Sequence, residues 1–311
     1  MEVVFKETVN IPQDPIFIIG YPRSGTTLLQ ALIATQPGIY SFPETHFFPT
    51  IAQVGEVDEL GFIQSACVDK LLAKIREKTG LQFSSNTASQ LSALAEKNIL
   101  HIKWFFELIV YQYLHKETNH KNVGKYRWVE KTPYHIHYLD RIHDLYPDAQ
   151  FVAIVRHPIP AVISRKKKLP MDGHLPVSTL AGYWAEMIHI MEEFRNKHPE
   201  TIYIMRYENL VEQRNEIMDQ LCNFLNFKLK PELLDRFSIV GTGLIHQWEA
   251  WKIGVISQEI VNTNNTYNGQ INLMDTFRIQ HVVQNKMNKY SYKISHPMLQ
   301  KAFDLLKFLK P

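Results

Sequence analysis

Short uninterrupted apolar runs alternate along the chain with stretches of helical periodicity, the pattern of a buried parallel sheet covered by helices. IFIIG at 16–20 predicts a first strand, and LLQALIATQP from Leu28 predicts a helix stopped by Pro37 and Gly38. FVAIV at 151–155 follows a YPD turn and predicts a second strand; the RHPIPAVIS that follows puts proline at a helix entrance. TIYIMR at 201–206 predicts a third strand, ahead of a helix built on Ile217, Leu221, Phe224 and Leu225. Between the last two strands, Leu180, Tyr183, Trp184, Met187, Ile188, Met191 and Phe194 recur at helical spacing, a covering helix whose aromatic stripe belongs to the core. The chain reads as an α/β protein without linker or internal repeat. NTNNTYNG at 262–269 reads as a polar, turn-rich loop.

Composition narrows the class. A chain of 311 residues with 45% hydrophobic content can bury a full core. A formal charge of +3 is too small to imply a nucleic-acid partner, although a local basic cluster can attract a small polyanion. The two cysteines, Cys67 and Cys222, lie far apart without ligand-spaced companions, so reduced, buried thiols are expected. No apolar run is long enough to span a membrane, and MEVVFKETVNIPQDP lacks the order of a signal peptide, so a cytoplasmic location and no membrane partner are expected.

The turn GYPRSGTT at 20–27 has the glycine spacing of a Walker A loop, with Thr26 where that motif requires lysine. A strand–loop–helix of this kind aims backbone N–H groups and the positive helix end at an anion, so Gly20 to Thr27, with Ser24 and Gly25 among them, can cradle a phosphate. Arg23 adds a planar fork of donors inside the loop, and Thr26 and Thr27 add hydroxyls at the first helical turn.

PIFIIGYPRSGTTLLQALI resembles the 5′-phosphosulfate loop of sulfotransferases that use 3′-phosphoadenosine-5′-phosphosulfate (PAPS), and its PRSGTT form is most similar to the tyrosylprotein and bacterial branch. FVAIVRHPIPAVIS at 151–164 resembles the family's 3′-phosphate motif, with Arg156 closing a strand and Ser164 eight residues on. WVEKTPYHIHYLDRIHDLYPDAQF at 128–151 and IMRYENLVEQ at 204–213 are similar to connecting segments of the same family. The resemblance implies one sulfotransferase domain over 1–311, with a P-loop-like three-layer α/β fold whose central, mostly parallel sheet is flanked by helices. It implies PAPS as co-substrate, 3′-phosphoadenosine-5′-phosphate (PAP) as product, Lys131 near the transferred group and Tyr207 near adenine. The charged run Arg165, Lys166, Lys167 and Lys168 is expected to add attraction for phosphate.

Sulfuryl transfer builds negative charge on the leaving phosphate oxygen, which Arg23 and Lys131 suit, and the acceptor must lose a proton to a base. Glu44, in SFPETHFF and 21 residues after Arg23, resembles the base of tyrosylprotein sulfotransferases. His46 competes for that role; two apart in an extended segment, the pair would point the same way. No third ligand accompanies HIH at 135–137, and no metal is expected. The rival readings are a P-loop small-molecule kinase, against which the missing lysine speaks, and a nucleotide-binding protein without turnover. The acceptor segments are expected near 45–127, 166–180 and 240–275, with Trp104–Phe106 as a buried helix and Trp248 and Trp251 near the nucleotide. A soluble small molecule, such as a secondary metabolite, is the preferred acceptor.

Overall fold

A computed structural model describes residues 11–12, 14–55, 57–118, 126–246, 249, 252, 259–264 and 271–308. In chain order, β1 (Ile16–Gly20) runs into the loop before helix α1 (Thr26–Ala34). β2 (Ile39–Ser41) precedes α2 (Phe47–Val54), α3 (Val68–Thr79), α4 (Ser85–Glu96) and α5 (Ile102–Thr118). Then come β3 (Arg127–Lys131), α6 (Leu139–Leu145), β4 (Gln150–Val155), α7 (Pro158–Lys168) and α8 (Val177–Lys197). β5 (Ile202–Arg206), α9 (Tyr207–Glu212), α10 (Arg214–Phe224), α11 (Phe237–Gly243), α12 (Leu273–Lys289) and α13 (Pro297–Phe308) complete the described elements.

The strands form one parallel sheet in the order β2-β3-β1-β4-β5, flanked by helices. The order reverses beside β1, and in such sheets ligands bind beyond the carboxyl ends of the strands at the reversal. β1 is apolar and buried throughout, as the run IFIIG requires of a strand covered on both faces. The three strands expected from apolar runs are present. β2 and β3 are additional, and β3 escapes a hydropathy reading because RWVEK buries Glu130 and Lys131 through polar partners rather than through apolar side chains.

The described chain divides into two compact units. The first is drawn from Met1–Ile18, Thr27–Gln150 and Glu232–Gln258. Its core is aromatic: Phe47 stacks on Phe106 at 4.7 Å, Phe42 on Tyr113 at 5.0 Å, and Trp128 meets Phe17 edge-on at 5.7 Å. Each fully buried side chain of this size stabilises the fold by roughly 1.5–3 kcal/mol. Phe105 and Phe106 are buried as expected, whereas Trp104 stands 43% exposed on the outer side of α5.

The second unit is drawn from Ile19–Thr26, Phe151–Pro231 and Glu259–Pro311. α8 buries Leu180, Trp184, Met187, Ile188, Met191 and Phe194, and Phe151 of β4 meets Phe194 edge-on at 5.0 Å. Tyr183 departs from the expected stripe; it is half exposed and lies against the Arg165 guanidinium at 5.3 Å. Both cysteines are free and buried. Among the described residues no helix is long and apolar enough to cross a membrane.

Candidate active site

The loop after β1 turns by placing Gly20, Arg23 and Gly25 at φ 148°, 75° and 98°. The Ser24 N–H closes a tight turn onto the Tyr21 carbonyl at 3.1 Å, and the first-turn amides of α1, which have no intrahelical partner, follow directly. The glycines are required by their neighbours as well. A Cβ on Gly20 would lie 2.6 Å from the Ile154 carbonyl oxygen, and one on Gly25 would lie 2.6 Å from the Tyr207 ring. Arg23 is not glycine, and a left-handed conformation there costs on the order of 1 kcal/mol, the kind of local strain concentrated at binding sites. Ser24 Oγ is fully buried without a hydrogen-bond partner among the described residues. A buried hydroxyl beside the open amides of a helix N-terminus fits a phosphate-type ligand that would complete its bonding.

The second predicted motif meets the first in the same unit. Arg23 Nε donates to Ser164 Oγ at 3.1 Å, and Arg156 Nη1 donates to the Arg23 carbonyl at 3.0 Å. Arg156 also donates from Nε to Asn264 Oδ1 at 2.8 Å and from Nη2 to Thr263 Oγ1 at 2.9 Å, and its guanidinium lies 4.5 Å above the Tyr207 ring. The backbone beneath is fixed by Trp184 Nε1, which donates to the Arg156 carbonyl at 3.0 Å. Tyr207 Oη and Thr263 Oγ1 are 3.0 Å apart. Glu208 supports the turn from below, accepting from Asn264 Nδ2 at 2.7 Å, from the His157 N–H at 3.0 Å and from Tyr292 Oη at 2.8 Å. Because Arg156 only donates and Glu208 only accepts, the orientation of the Asn264 amide is dictated.

Arg165 does not behave as the sequence suggested. Arg165 is buried, bonds Asp172 at 2.8 Å and sits 4.9 Å over the Tyr21 ring. Lys166 donates to the Gly173 and Leu175 carbonyls at 2.8 and 2.6 Å. The charge of Arg165 is thus compensated by Asp172, while Lys166 keeps its charge and caps a turn.

The first unit gathers Glu44, His46 and Lys131. Glu44 is buried, and its Oε1 accepts from Lys131 Nζ and, at 2.6 Å, from Lys252 Nζ. His46 Nε2 lies 3.3 Å from the other oxygen, Oε2. The pair meets by a different route from the one expected: His46 is left-handed (φ 50°, ψ 27°) at the N-terminus of α2, not extended, and the sharp turn brings its ring back toward Glu44. Burial raises the Glu44 pKa, but Lys131, Lys252 and His46 outweigh it and hold the carboxyl well below the ordinary range. Burial lowers His46 despite the neighbouring Glu44, so its imidazole is neutral near pH 7. Burial also lowers Lys131, opposed by Glu44.

A buried polar frame holds this segment. Glu130 Oε1 accepts from the Thr45 N–H at 3.2 Å, from Thr45 Oγ1 at 2.9 Å and from Thr132 Oγ1 at 2.7 Å, while Oε2 lies 2.8 Å from His135 Nδ1. The His46 N–H donates to Thr132 Oγ1 at 3.2 Å. Neighbouring residues of β3 thus divide the work: Glu130 anchors the backbone around Thr45, and Lys131 meets the adjacent carboxylate.

Sequence reasoning missed Thr263, Asn264, Glu208, Glu130, His246 and Lys252. The polar run at 262–264 carried a signal, since it was already marked as a turn; the others become meaningful only when distant segments meet. Trp248 and Trp251 lie outside the described residues.

Comparison with known proteins identifies the family. A sequence model of the Sulfotransferase family matches residues 15–231. A putative protein-tyrosine sulfotransferase of Caenorhabditis briggsae is 23% identical over 235 residues, 73% of this chain and 70% of that protein. The nodulation protein NoeE of Sinorhizobium fredii is 28% identical over 155 residues, 48% of this chain but 30% of that protein. The sulfotransferase domain from the curacin biosynthetic pathway shares the fold, with a TM-score of 0.58 at 23% identity, covering 92% of this chain and 100% of that one. With more than half of its length matched by the family model, the chain belongs to the Sulfotransferase family and is a PAPS-dependent sulfotransferase.

Proposed function

We propose that the chain transfers the sulfuryl group of PAPS to a hydroxyl or amine, with the loop Gly20–Thr27 and the Arg156–Ser164 pair holding the nucleotide and Glu44 acting as general base. The observation that carries the nucleotide half is the meeting of Arg23, Arg156 and Ser164, two motifs that family resemblance assigns to opposite ends of one molecule. PAPS supplies the sulfuryl group and leaves as PAP. The loop amides, Arg23, Ser24, Thr26 and Thr27 bind its 5′ end, and the same donors face the charge that develops on the leaving oxygen. Arg156 and Ser164 bind the 3′-phosphate, with Tyr207 beneath the guanidinium.

The acceptor's proton goes to Glu44 Oε2, the oxygen left outside the lysine pairs. Lys131 contributes positive charge near the transferred group. His46, neutral and beside Oε2, orients the carboxylate; in the competing assignment it takes the proton itself. No residue in this scheme needs a metal ion.

The preferred acceptor is a small molecule in a cytoplasmic setting. Relatives named as protein-tyrosine sulfotransferases favour a second reading, in which a protein tyrosine supplies the hydroxyl. Incubating the protein with ³⁵S-labelled PAPS and either a low-molecular-weight cell extract or tyrosine-containing acidic peptides tests both. Label in small products supports the first reading, label in peptides replaces it with the second, and hydrolysis without transfer to either overturns the proposal.

A further inference from the structure

Beyond the family-matched residues 15–231, two side chains return to one residue within that span. His246 Nε2 lies 3.0 Å from the Glu44 carbonyl oxygen. That oxygen can only accept, so Nε2 carries the hydrogen, and burial keeps the imidazole neutral. Six residues on, Lys252 Nζ donates to Glu44 Oε1 at 2.6 Å while also pairing with Glu249 Oε1, and Lys252 is itself buried. His246 and Lys252 therefore grip Glu44 twice, once by its backbone and once by its carboxylate.

We propose that His246 and Lys252 form a clasp that fixes Glu44 and keeps it an oriented carboxylate independently of Lys131, making Lys252 a positioning residue for the transfer. The inference rests on the reading of Glu44 as base. Its argument is charge balance in a buried site. Glu44 and Glu249 oppose Lys131 and Lys252, with His46 and His246 as the other titratable groups on Glu44 and Glu130 and His135 behind His46. If Lys131 served the transferred group alone, Glu44 would remain buried without a counter-ion, a state that favours its protonation and loss as a base. Lys252 removes that conflict: its attraction to Glu44 and Glu249 outweighs burial and raises its pKa, so it is charged at neutral pH.

Full-length protein labelled with ¹³C at glutamate carboxyls provides a readout separate from turnover, the Glu44 signal being assigned by its disappearance in Glu44→Gln. In Lys252→Gln the Glu44 titration midpoint is expected to rise by about one pH unit or more, as loss of a neighbouring opposite charge brings. The acidic limb of the kcat profile should rise with it and kcat should fall about 10-fold, while PAP affinity stays within about threefold. Lys252→Arg should retain the wild-type midpoint. Lys252→Met, which keeps the apolar stem, carries the same test should the glutamine variant fail to fold. An unchanged midpoint in the neutral variants overturns the clasp. If the midpoint moves while Glu44→Gln retains full activity, the clasp stands and the assignment of Glu44 as base falls.

Discussion

Arg23 Nε and Ser164 Oγ share a hydrogen bond of 3.1 Å although 141 residues separate them. The bond joins the loop after β1 to α7, and Arg156, at the end of β4, donates to the Arg23 carbonyl from between them. Two strands of the parallel sheet thus deliver their carboxyl-end residues to one place, where the reversal in strand order leaves room for a ligand. The close approach of the Gly20 backbone to the Ile154 carbonyl is what permits it.

Arg156→Ala and Arg23→Ala are expected to separate binding from chemistry. Loss of Arg156 removes charged hydrogen bonds worth about 1.5–3 kcal/mol, so PAP affinity should fall about 10- to 100-fold with a smaller change in kcat at saturating PAPS. Arg23→Ala should lower affinity and kcat together, because that side chain is assigned to the end where charge develops. Calorimetric titration with PAP and initial rates across PAPS concentrations check the division; equal effects of both variants on every parameter would contradict it.

Gly25→Ala should abolish nucleotide binding by displacing the Tyr207 ring, which a Cβ would approach to 2.6 Å. The positive φ adds strain, and the combined loss of stability should be about 1–3 kcal/mol. Denaturant unfolding with and without PAP measures both, and a variant that PAP stabilises as fully as the parent refutes the packing argument.

Glu44→Gln should cut turnover by about 10²-fold or more while leaving PAP affinity nearly intact. In the parent, Lys131, Lys252 and His46 hold the Glu44 pKa well below the ordinary carboxylate range against the effect of burial, so the base stays ionised as pH falls through that range. The acidic limb of kcat governed by Glu44 therefore lies below the pH at which a free glutamate protonates. A limb above the ordinary carboxylate range but below the ordinary imidazole value would instead identify His46, which burial lowers, as the group that must be unprotonated.

Glu130 bears on stability rather than turnover. Burial raises its pKa, but His135, Thr132 and Thr45 outweigh burial and lower it. A depressed carboxyl stabilises the fold above its unfolded value of about 4.3 and loses that contribution as pH falls through the lower folded value. Thermal unfolding between neutral pH and that acidic window should show the parent losing stability on acidification and Glu130→Gln losing less. Glu130→Ala, which leaves Thr45, Thr132 and His135 without their acceptor, should cost about 3–5 kcal/mol at neutral pH.

Much of the cluster around Arg23 was legible in the sequence because its residues sit at fixed offsets from apolar strands. IFIIG leads to Arg23 and FVAIV leads to Arg156 and Ser164, and a buried parallel strand is the easiest element to see. β3 was not legible as a strand, since a hydropathy pattern cannot show that Glu130 and Lys131 are buried by Thr45, Thr132 and Glu44. Arg165 misled for the converse reason. A run of basic residues looks solvated until Asp172 and Tyr21 are brought against one of them. Lys252 and His246 carry no local signal, because their partner Glu44 lies about 200 residues away.

The central claim is that the loop at Arg23 and the pair Arg156–Ser164 hold one adenosine carrying phosphates at both its 3′ and 5′ positions. Calorimetric titration of the protein with PAP, 5′-AMP and ATP tests it most directly. PAP is expected to bind at least about 10-fold tighter than either, with the advantage over 5′-AMP lost in Arg156→Ala. Equal affinity for PAP and 5′-AMP, or preference for ATP, would contradict the account.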